Sequence, residues 1–269
     1  MLAGAHVASP RVDAELLAAH VLNVPRGRLL SAADATDHQV TEYRELIRRR
    51  AARVPLQHLT GTAPFRQLQL RVGPGVFVPR PETELLVEWG LEWLGGRTEC
   101  TVVDLCAGSG AIAAAIATET AGHHVFAVER EAGAWGYLKE NVAGTGVTLI
   151  GADVLDPRSF DGTVDLVLCN PPYVPEIGRA GLPPEVTDHD PDIAVFGGRD
   201  GLDLVRPLIG RIATMLRPGG AFALEHDDTH AYVVPTLVDA DGRFEKVELH
   251  HDLARRPRFT SARRAGRAS

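Results

Sequence analysis

The stretch CTVVDLCAGSGAIAAAIATET, residues 100–120, decides the fold of this chain. Its first half is a short apolar, β-branched run and its second an alanine-rich run, with a glycine turn between them. That pattern reads as strand, tight loop, helix. Gly108 and Gly110 let the chain turn sharply and bring its backbone close to a ligand at the start of the helix. Read as G-x-G-x-x-A, the loop fits a dinucleotide fingerprint, with Glu129 about 20 residues on, at the end of the next strand-like run. A carboxylate there can accept hydrogen bonds from a ribose diol. The loop therefore implies an adenosine-containing cofactor, and by itself it does not choose between a nicotinamide and S-adenosylmethionine.

Outward from this loop the pattern alternates. A helical run (ETELLVEWGLEWL) precedes it. The strand-like runs HVFAVE, VTLIGAD, VDLVLC and GAFALEH follow, separated by helical runs such as AGAWGYLKENVAG, LDLVRPLIGRIATML and THAYVVPTLVDA. Two further strand-like runs, FEKVELHH and RFTSAR, close the chain as an expected antiparallel edge hairpin. Strands alternating with helices predict an α/β fold: a doubly wound, mostly parallel seven-stranded sheet that binds its ligands beyond the carboxyl ends of its strands. The first part differs. SPRVDAELLAAHVLNV starts at Ser9-Pro10 and places Val12, Leu16, Leu17, Ala19 and Val21 near helical spacing. TDHQVTEYRELIRRRAARVP places Val40, Tyr43, Leu46 and Ile47 on one face, with its arginines expected outward. Leu68 and Leu70 suggest a short hairpin, and Gly73, Pro74, Gly75, Pro79 and Pro81 mark a linker. The expected division is a small helical N-terminal domain over residues 1–75 and an α/β domain over residues 76–269.

With 269 residues the chain has material for both units. A net charge of −7 argues against a general polyanion binder, because phosphate backbones are held by excess Lys and Arg. The local exception is ARRPRFTSARRAGRAS, residues 254–269, with six arginines. It reads either as a solvated, partly disordered tail or as a basic contact for RNA or an acidic partner. Cys100, Cys106 and Cys169 lack C-x-x-C spacing, which fits buried thiols in a reducing compartment, and no metal site is expected. No run approaches a membrane span and no signal peptide opens the chain, so the expected location is cytoplasmic.

A second motif carries the chemistry. In VDLVLCNPPYVPE, residues 164–176, a strand delivers Asn170, Pro171, Pro172 and Tyr173 to its own carboxyl end. The prolines fix the backbone and offer no N–H, so the carbonyls of the turn are held without a competing donor. The Asn170 side-chain oxygen and the Pro171 carbonyl can accept the two protons of a planar –NH2 while Tyr173 packs on its plane. That grip turns a delocalised nitrogen lone pair toward an electrophilic methyl, and a dehydrogenase has no use for it. Transfer is then a matter of positioning. No strong base is needed, because the methylated nitrogen sheds its proton to water or a carbonyl. Asp153, just past the third strand, suits an adenine amine, and a turn-capping role fits it equally well. Adenine N6, guanine N2 and the glutamine side-chain amide all fit the grip.

The blocks VFVPRPETELLVE, DLCAGSGAIA, CNPPYVP, FGGRDGLDLVRPLI and RPGGAFALEH, preceded by PLQHLTG, follow one another as in the release-factor glutamine N5-methyltransferases, the HemK/PrmC family. The resemblance covers nearly the whole chain. It implies a class I, Rossmann-like fold and methyl transfer from S-adenosylmethionine to the glutamine of a Gly-Gly-Gln loop in peptide chain release factors, by a monomer whose helical domain helps dock that partner. It also implies that Cys106, Ala107, Gly108, Ser109 and Gly110 form the methionine and ribose loop, that Glu129 holds the ribose, and that Asp153 and Val154 lie along the adenine. Asn170, Pro171, Pro172 and Tyr173 would hold the glutamine amide, with Asn170 also beside the cofactor. Arg80, Glu82 and Thr83 either line the site near the methionine or belong to a rigid linker. Cys106 replaces the family's usual first glycine, which is tolerable only if its φ is negative, and Val154 replaces a larger neighbour of the adenine. Two other readings stand beside this one: a nucleic-acid amino-methyltransferase, and a non-catalytic module on the same fold.

Overall fold

The structure, a computed structural model, describes residues 1–156 and 160–266. The N-terminal part packs α1 (Pro10–Leu22), α2 (Asp37–Ala51) and α3 (Leu56–Thr60) around Leu17, Leu46 and Leu59. Helix α2 starts at a capping box, in which Gln39 N–H donates to Thr36 Oγ1 at 3.3 Å and Thr36 N–H donates to Gln39 Oε1 at 3.0 Å. The face expected on α1 is narrower than its sequence implied, because Val12 is exposed. The hairpin of β1 (Thr62–Phe65) and β2 (Leu68–Arg71) follows, with Ala63 opposite Leu70.

One of the arginines expected to face solvent does the opposite. Arg50 is buried and pairs with Asp13 at 2.7 Å and with Glu185 at 2.8 Å. Arg53 makes a fork on the same Glu185, at 2.8 and 2.5 Å. A guanidinium supplies five donors in a fixed plane, so Arg50 can leave its helix face and join two chain segments without leaving a charge unpaired.

The remaining elements alternate as expected: α4 (Thr83–Leu94), β3 (Thr101–Leu105), α5 (Ala111–Glu119), β4 (His124–Glu129), α6 (Ala132–Asn141), β5 (Thr148–Gly151) and β6 (Val164–Cys169). Two single-turn helices, α7 (Pro184–Thr187) and α8 (Asp192–Val195), lie within the long loop after β6. They precede α9 (Val205–Met215), β7 (Leu216–Glu225), α10 (Val233–Asp241), β8 (Phe244–His251) and β9 (Pro257–Arg264). The sheet order is β5-β4-β3-β6-β7-β9-β8, parallel from β5 to β7 and antiparallel at β7–β9 and β9–β8. Strand order reverses between the parallel neighbours β3 and β6, which makes their carboxyl ends the crevice of the fold. Strand β6 is buried along its whole length, with Leu166 and Leu168 toward one helical layer and Val167 and Cys169 toward the other. A continuous apolar strand is what burial on both faces requires.

The arginine-rich stretch from Ala254 is not a solvated tail. Its centre is β9, inserted between β7 and β8 with Phe259, Thr260, Ser261 and Ala262 buried. The described arginines of the stretch sit at its ends, where Arg258 meets Asp252 at 3.0 Å and Arg264 donates to the Arg243 carbonyl at 3.1 Å. The strand pattern of RFTSAR outweighs its flanking charge, since four buried residues anchor it and long arginine stems reach solvent from either end. The final three residues of that stretch lie outside the described residues.

The Arg50–Arg53–Glu185 cluster has a measurable signature. Burial by itself pushes the Glu185 carboxyl up, but the arginine hydrogen bonds outweigh it and hold Glu185 at about 2, against an ordinary 4.5. A carboxylate held low stabilises the fold fully above pH 4.5, and this contribution fades as pH falls toward 2. Thermal midpoints of wild type and Glu185→Gln are expected to differ most near neutral pH and to converge on acidification through that window. A gap independent of pH would contradict the assignment.

Candidate active site

The register of the sheet sets the site. Leu105 of β3 lies opposite Cys169 of β6, and Cys169 lies opposite Leu224 of β7. The next residues, Cys106 and Asn170, therefore leave the sheet at one level, beside Glu225, the last residue of β7. The crevice above them is lined by Cys106, Ala107, Gly108, Ser109, Glu129 and Asn170, and by apolar walls that include Ile112, Val128 and Val154.

Asp104 holds the glycine loop from below. Its Oδ2 accepts from Ala113 N–H at 3.0 Å, which tethers the first turn of α5, and burial pushes its carboxyl well above the ordinary range. Glu129 closes the loop from the side. Its Oε2 accepts from Gly108 N–H at 2.8 Å, and its Oε1 accepts from the N–H groups of Arg130 and Glu131 at 2.8 and 2.7 Å. A carboxylate has about four acceptor positions. The backbone takes three of them, so Glu129 has capacity for one further donor in the crevice rather than for both hydroxyls of a diol.

Cys106 has φ 60°, the left-handed conformation in which a side chain is strained. The condition set by the sequence for an easy cysteine at this position is not met. The thiol meets that of Cys169, and burial together with this contact keeps Cys169 protonated and inert.

Asp153 is not in the lining. Its Oδ1 accepts from Leu155 N–H at 2.9 Å and its Oδ2 pairs with Arg130 at 2.7 Å. The Leu155 bond, followed by the Arg130 pairing, holds the carboxyl below its ordinary range despite partial burial. This is the turn-capping alternative, and the crevice wall at this point is Val154.

Asn170 has the orientation its motif needs. Its Nδ2 donates to Thr83 Oγ1 at 3.1 Å, so Oδ1 is left as the acceptor of the amide. Pro172 lines the crevice beside it, whereas Pro171 is buried beneath. Tyr173 departs from expectation: its ring is not part of the lining, and its hydroxyl donates to Glu225 Oε1 at 2.7 Å. Burial pushes this hydroxyl well above the ordinary range, and the Glu225 carboxylate beside it adds to the effect. The hydroxyl therefore anchors the turn, while the residue as a whole stays partly exposed.

The block FGGRDGLD braces the same turn. Val174 N–H donates to the Val195 carbonyl at 2.9 Å, Gly197 N–H to the Val174 carbonyl at 3.1 Å, and Glu176 N–H to the Gly198 carbonyl at 3.0 Å. A Cβ on Gly197 would lie 2.6 Å from the Pro172 carbonyl oxygen, and one on Gly201 would collide with the Tyr173 carbonyl. Only backbone fits there. Of the linker residues, Gly75, Pro79 and Thr83 reach the crevice. Arg80 instead pairs with Asp190 at 2.5 Å and lies over the Phe77 ring. Sequence reasoning missed Val76, Phe77, Pro191, Ile193 and Ala194, which wall the crevice, and Glu225 beneath it. An acid that ends an apolar strand at the carboxyl edge of a parallel sheet was the available signal for Glu225.

Apolar walls that admit a flat ring, a loop stapled by an acidic side chain with one acceptor to spare, and an outward amide oxygen fit S-adenosylmethionine. The PrmC N-terminal domain family matches residues 1–61, and the methyltransferase small domain family matches residues 69–180. Among solved structures, the ribosomal protein L11 methylase of Lactobacillus delbrueckii subsp. bulgaricus shares the fold at a TM-score of 0.50, with 19% identity over 73% of this chain and 85% of that one. Fold and site together define a class I, S-adenosylmethionine-dependent methyltransferase.

Closer relatives narrow the class. The release factor glutamine methyltransferase of Mycolicibacterium smegmatis is 49% identical over 99% of this chain and 95% of its own length, and that of Streptomyces coelicolor is 46% identical over 98% and 94%. The chain belongs to the release factor glutamine methyltransferase family.

The strained loop residue is open to test. Replacing Cys106 with glycine relieves a left-handed side chain at some cost in unfolded-chain entropy, a net gain of about 1 kcal/mol. Urea denaturation of Cys106→Gly is expected to show a higher midpoint with an unchanged slope. A lower midpoint would mean that the thiol contact with Cys169 outweighs the strain.

Proposed function

We propose that this protein methylates the side-chain amide nitrogen (N5) of the glutamine in the Gly-Gly-Gln motif of peptide chain release factors. The observation that carries the reading is the orientation of Asn170: its amide nitrogen is committed to Thr83, so its oxygen is the group presented to a substrate –NH2. S-adenosylmethionine supplies an electrophilic methyl on a sulfonium.

The protein's own groups then do the positioning. Asn170 Oδ1 and the Pro171 carbonyl accept the two amide protons. The two prolines hold those acceptors rigid. The Tyr173 anchor and the glycine brace stop the turn from yielding when the substrate binds. Drawing both protons into hydrogen bonds localises the nitrogen lone pair toward the methyl, and effective molarities on the order of 10⁵–10⁸ M are available to reactants held this way. The proton lost after transfer passes to water or a neighbouring carbonyl.

The same reading divides the chain near residue 75, with the helical part docking the protein partner and residues 76–269 carrying out transfer as a monomer in the cytoplasm. Among the described residues no helix is long and apolar enough to cross a membrane. The nucleic-acid alternative loses local support, because the centre of the arginine stretch behind it is a strand of the sheet.

Labelled methyl is expected to enter a purified release factor and not its Gln→Ala variant. Asn170→Ala should lower turnover about 10²–10³-fold, as for loss of one oriented active-site group, with cofactor binding unchanged. Label entering RNA or DNA instead, or normal turnover by Asn170→Ala, would overturn the reading.

A further inference from the structure

Two walls of the crevice belong to segments with little structure of their own. One is the linker, which contributes Phe77 and Pro79, and the other is α8 with the proline before it, which contributes Pro191, Ile193 and Ala194. The linker here is neither helix nor strand, and α8 is a single turn, far too short to be stable alone. The position of each wall therefore depends on contacts made outside the crevice.

A side-chain bond crosses between the two walls. Arg80, next to Pro79, donates from Nη2 to Oδ2 of Asp190, next to Pro191, at 2.5 Å. The Asp190 side chain is 1% exposed and that of Arg80 is 32% exposed. Asp190 Oδ1 is buried without a hydrogen bond, so the bond at Oδ2 matters all the more to a buried charge. The same guanidinium lies 4.7 Å from the centre of the Phe77 ring. Donating at its edge while its face covers an aromatic ring is open to arginine rather than lysine.

The bond also closes a circuit. Thr83 N–H donates to the Arg80 carbonyl at 3.1 Å, and Asn170 Nδ2 donates to Thr83 Oγ1 at 3.1 Å. On the far side, Val174 N–H donates at 2.9 Å to the carbonyl of Val195, the last residue of α8. Asn170 and Val174 belong to one turn. The path from that turn through Thr83, Arg80, Asp190 and α8 returns to its start, and both walls lie along it.

We infer that Arg80 and Asp190 are positioning residues for the cofactor: their ion pair clasps the linker wall to the α8 wall and retains S-adenosylmethionine between them. Neither residue lines the crevice, so each acts through its neighbours. The clasp concerns the cofactor, whichever amine receives the methyl. Closed walls keep apolar surface against the ligand, and parted walls expose it to water, a loss that shows mainly in dissociation.

The test measures association and dissociation rates of S-adenosylhomocysteine on the purified protein. It compares wild type with Arg80→Gln, Asp190→Asn, Arg80→Lys and the Arg80→Gln/Asp190→Asn double variant. Each neutralising single change is expected to speed dissociation about 10-fold, the scale of a lost charge-assisted hydrogen bond, with association little changed. The double variant releases the ligand no faster than the quicker single variant, because both changes remove one bond. Arg80→Lys keeps the charge without the planar face and falls between wild type and Arg80→Gln. Glu185→Gln is the control. It removes an ion pair of the same segment that does not cross the crevice, so it lowers the thermal midpoint and leaves dissociation at the wild-type rate.

Wild-type dissociation in Arg80→Gln or Asp190→Asn, losses that multiply in the double variant, or equal acceleration by Glu185→Gln would each overturn the clasp. So would a wild-type protein that does not bind S-adenosylhomocysteine. If Arg80→Gln loses its fold, Asp190→Asn alone decides by the same criterion. Binding needs no methyl acceptor. A protein with the expected dissociation rates that methylates no release factor overturns the substrate reading and upholds the clasp.

Discussion

The parallel pairing of β3 with β6 is the constraint on which the rest of this structure depends. Because Leu105 and Cys169 share a register position, the glycine loop and the Asn-Pro-Pro-Tyr turn leave the sheet at one level, on adjacent strands, where strand order reverses. Side chains alternate along a strand, so a slip of one residue would send Asn170 to the opposite face and separate the two motifs. The slip is opposed by the apolar burial of β6 on both faces, which commits Leu166 and Leu168 to one helical layer and Val167 to the other. Function here is a consequence of register.

A level start is not enough, because loops after strands are free to move unless something holds them. Three loops at this edge of the sheet are tied by buried acids to backbone or hydroxyl donors. Asp104 holds the start of α5, Glu129 holds Gly108 and the turn after its own strand, and Glu225 holds Tyr173. The glycine-rich segment after α8 adds a second backbone layer behind the substrate turn. The helical N-terminal part reaches the same region through Arg50 and Arg53 on Glu185, and the linker reaches it through Arg80 on Asp190. A partner that contacts the helical part thus touches a body already fastened to the segment that walls the crevice.

The sequence showed what local chemistry can encode. Alternating strands and helices, the glycine turn and the Asn-Pro-Pro run are signals carried by neighbouring residues, and the structure realises them as a doubly wound sheet with both motifs at its carboxyl edge. What was not legible depended on long-range contacts. Arg50 looks like any helix-surface arginine until Asp13 and Glu185 are seen beside it, and the pairing of Asp153 with Arg130, twenty-three positions away, is equally hidden. The anchor of the Tyr173 hydroxyl is hidden in the sequence because its partner, Glu225, lies fifty-two positions away along the chain. Residues 254–264 combined basic composition with a strand pattern, and the buried side chains decided the outcome. The sequence departure at Cys106 was visible, but its sign was not, since only the backbone reveals a positive φ.

The central claim is geometric: a fixed amide oxygen and a proline carbonyl at the end of β6 hold a flat –NH2 in line with the methyl donor. A crystal structure of the protein with S-adenosylhomocysteine and a peptide containing Gly-Gly-Gln tests it directly. The account predicts Asn170 Oδ1 and the Pro171 carbonyl oxygen within hydrogen-bond distance of the glutamine amide nitrogen, with that nitrogen facing the sulfur and Asn170 Nδ2 still on Thr83. A glutamine held elsewhere, or an Asn170 rotated so that its nitrogen faces the peptide, would contradict it.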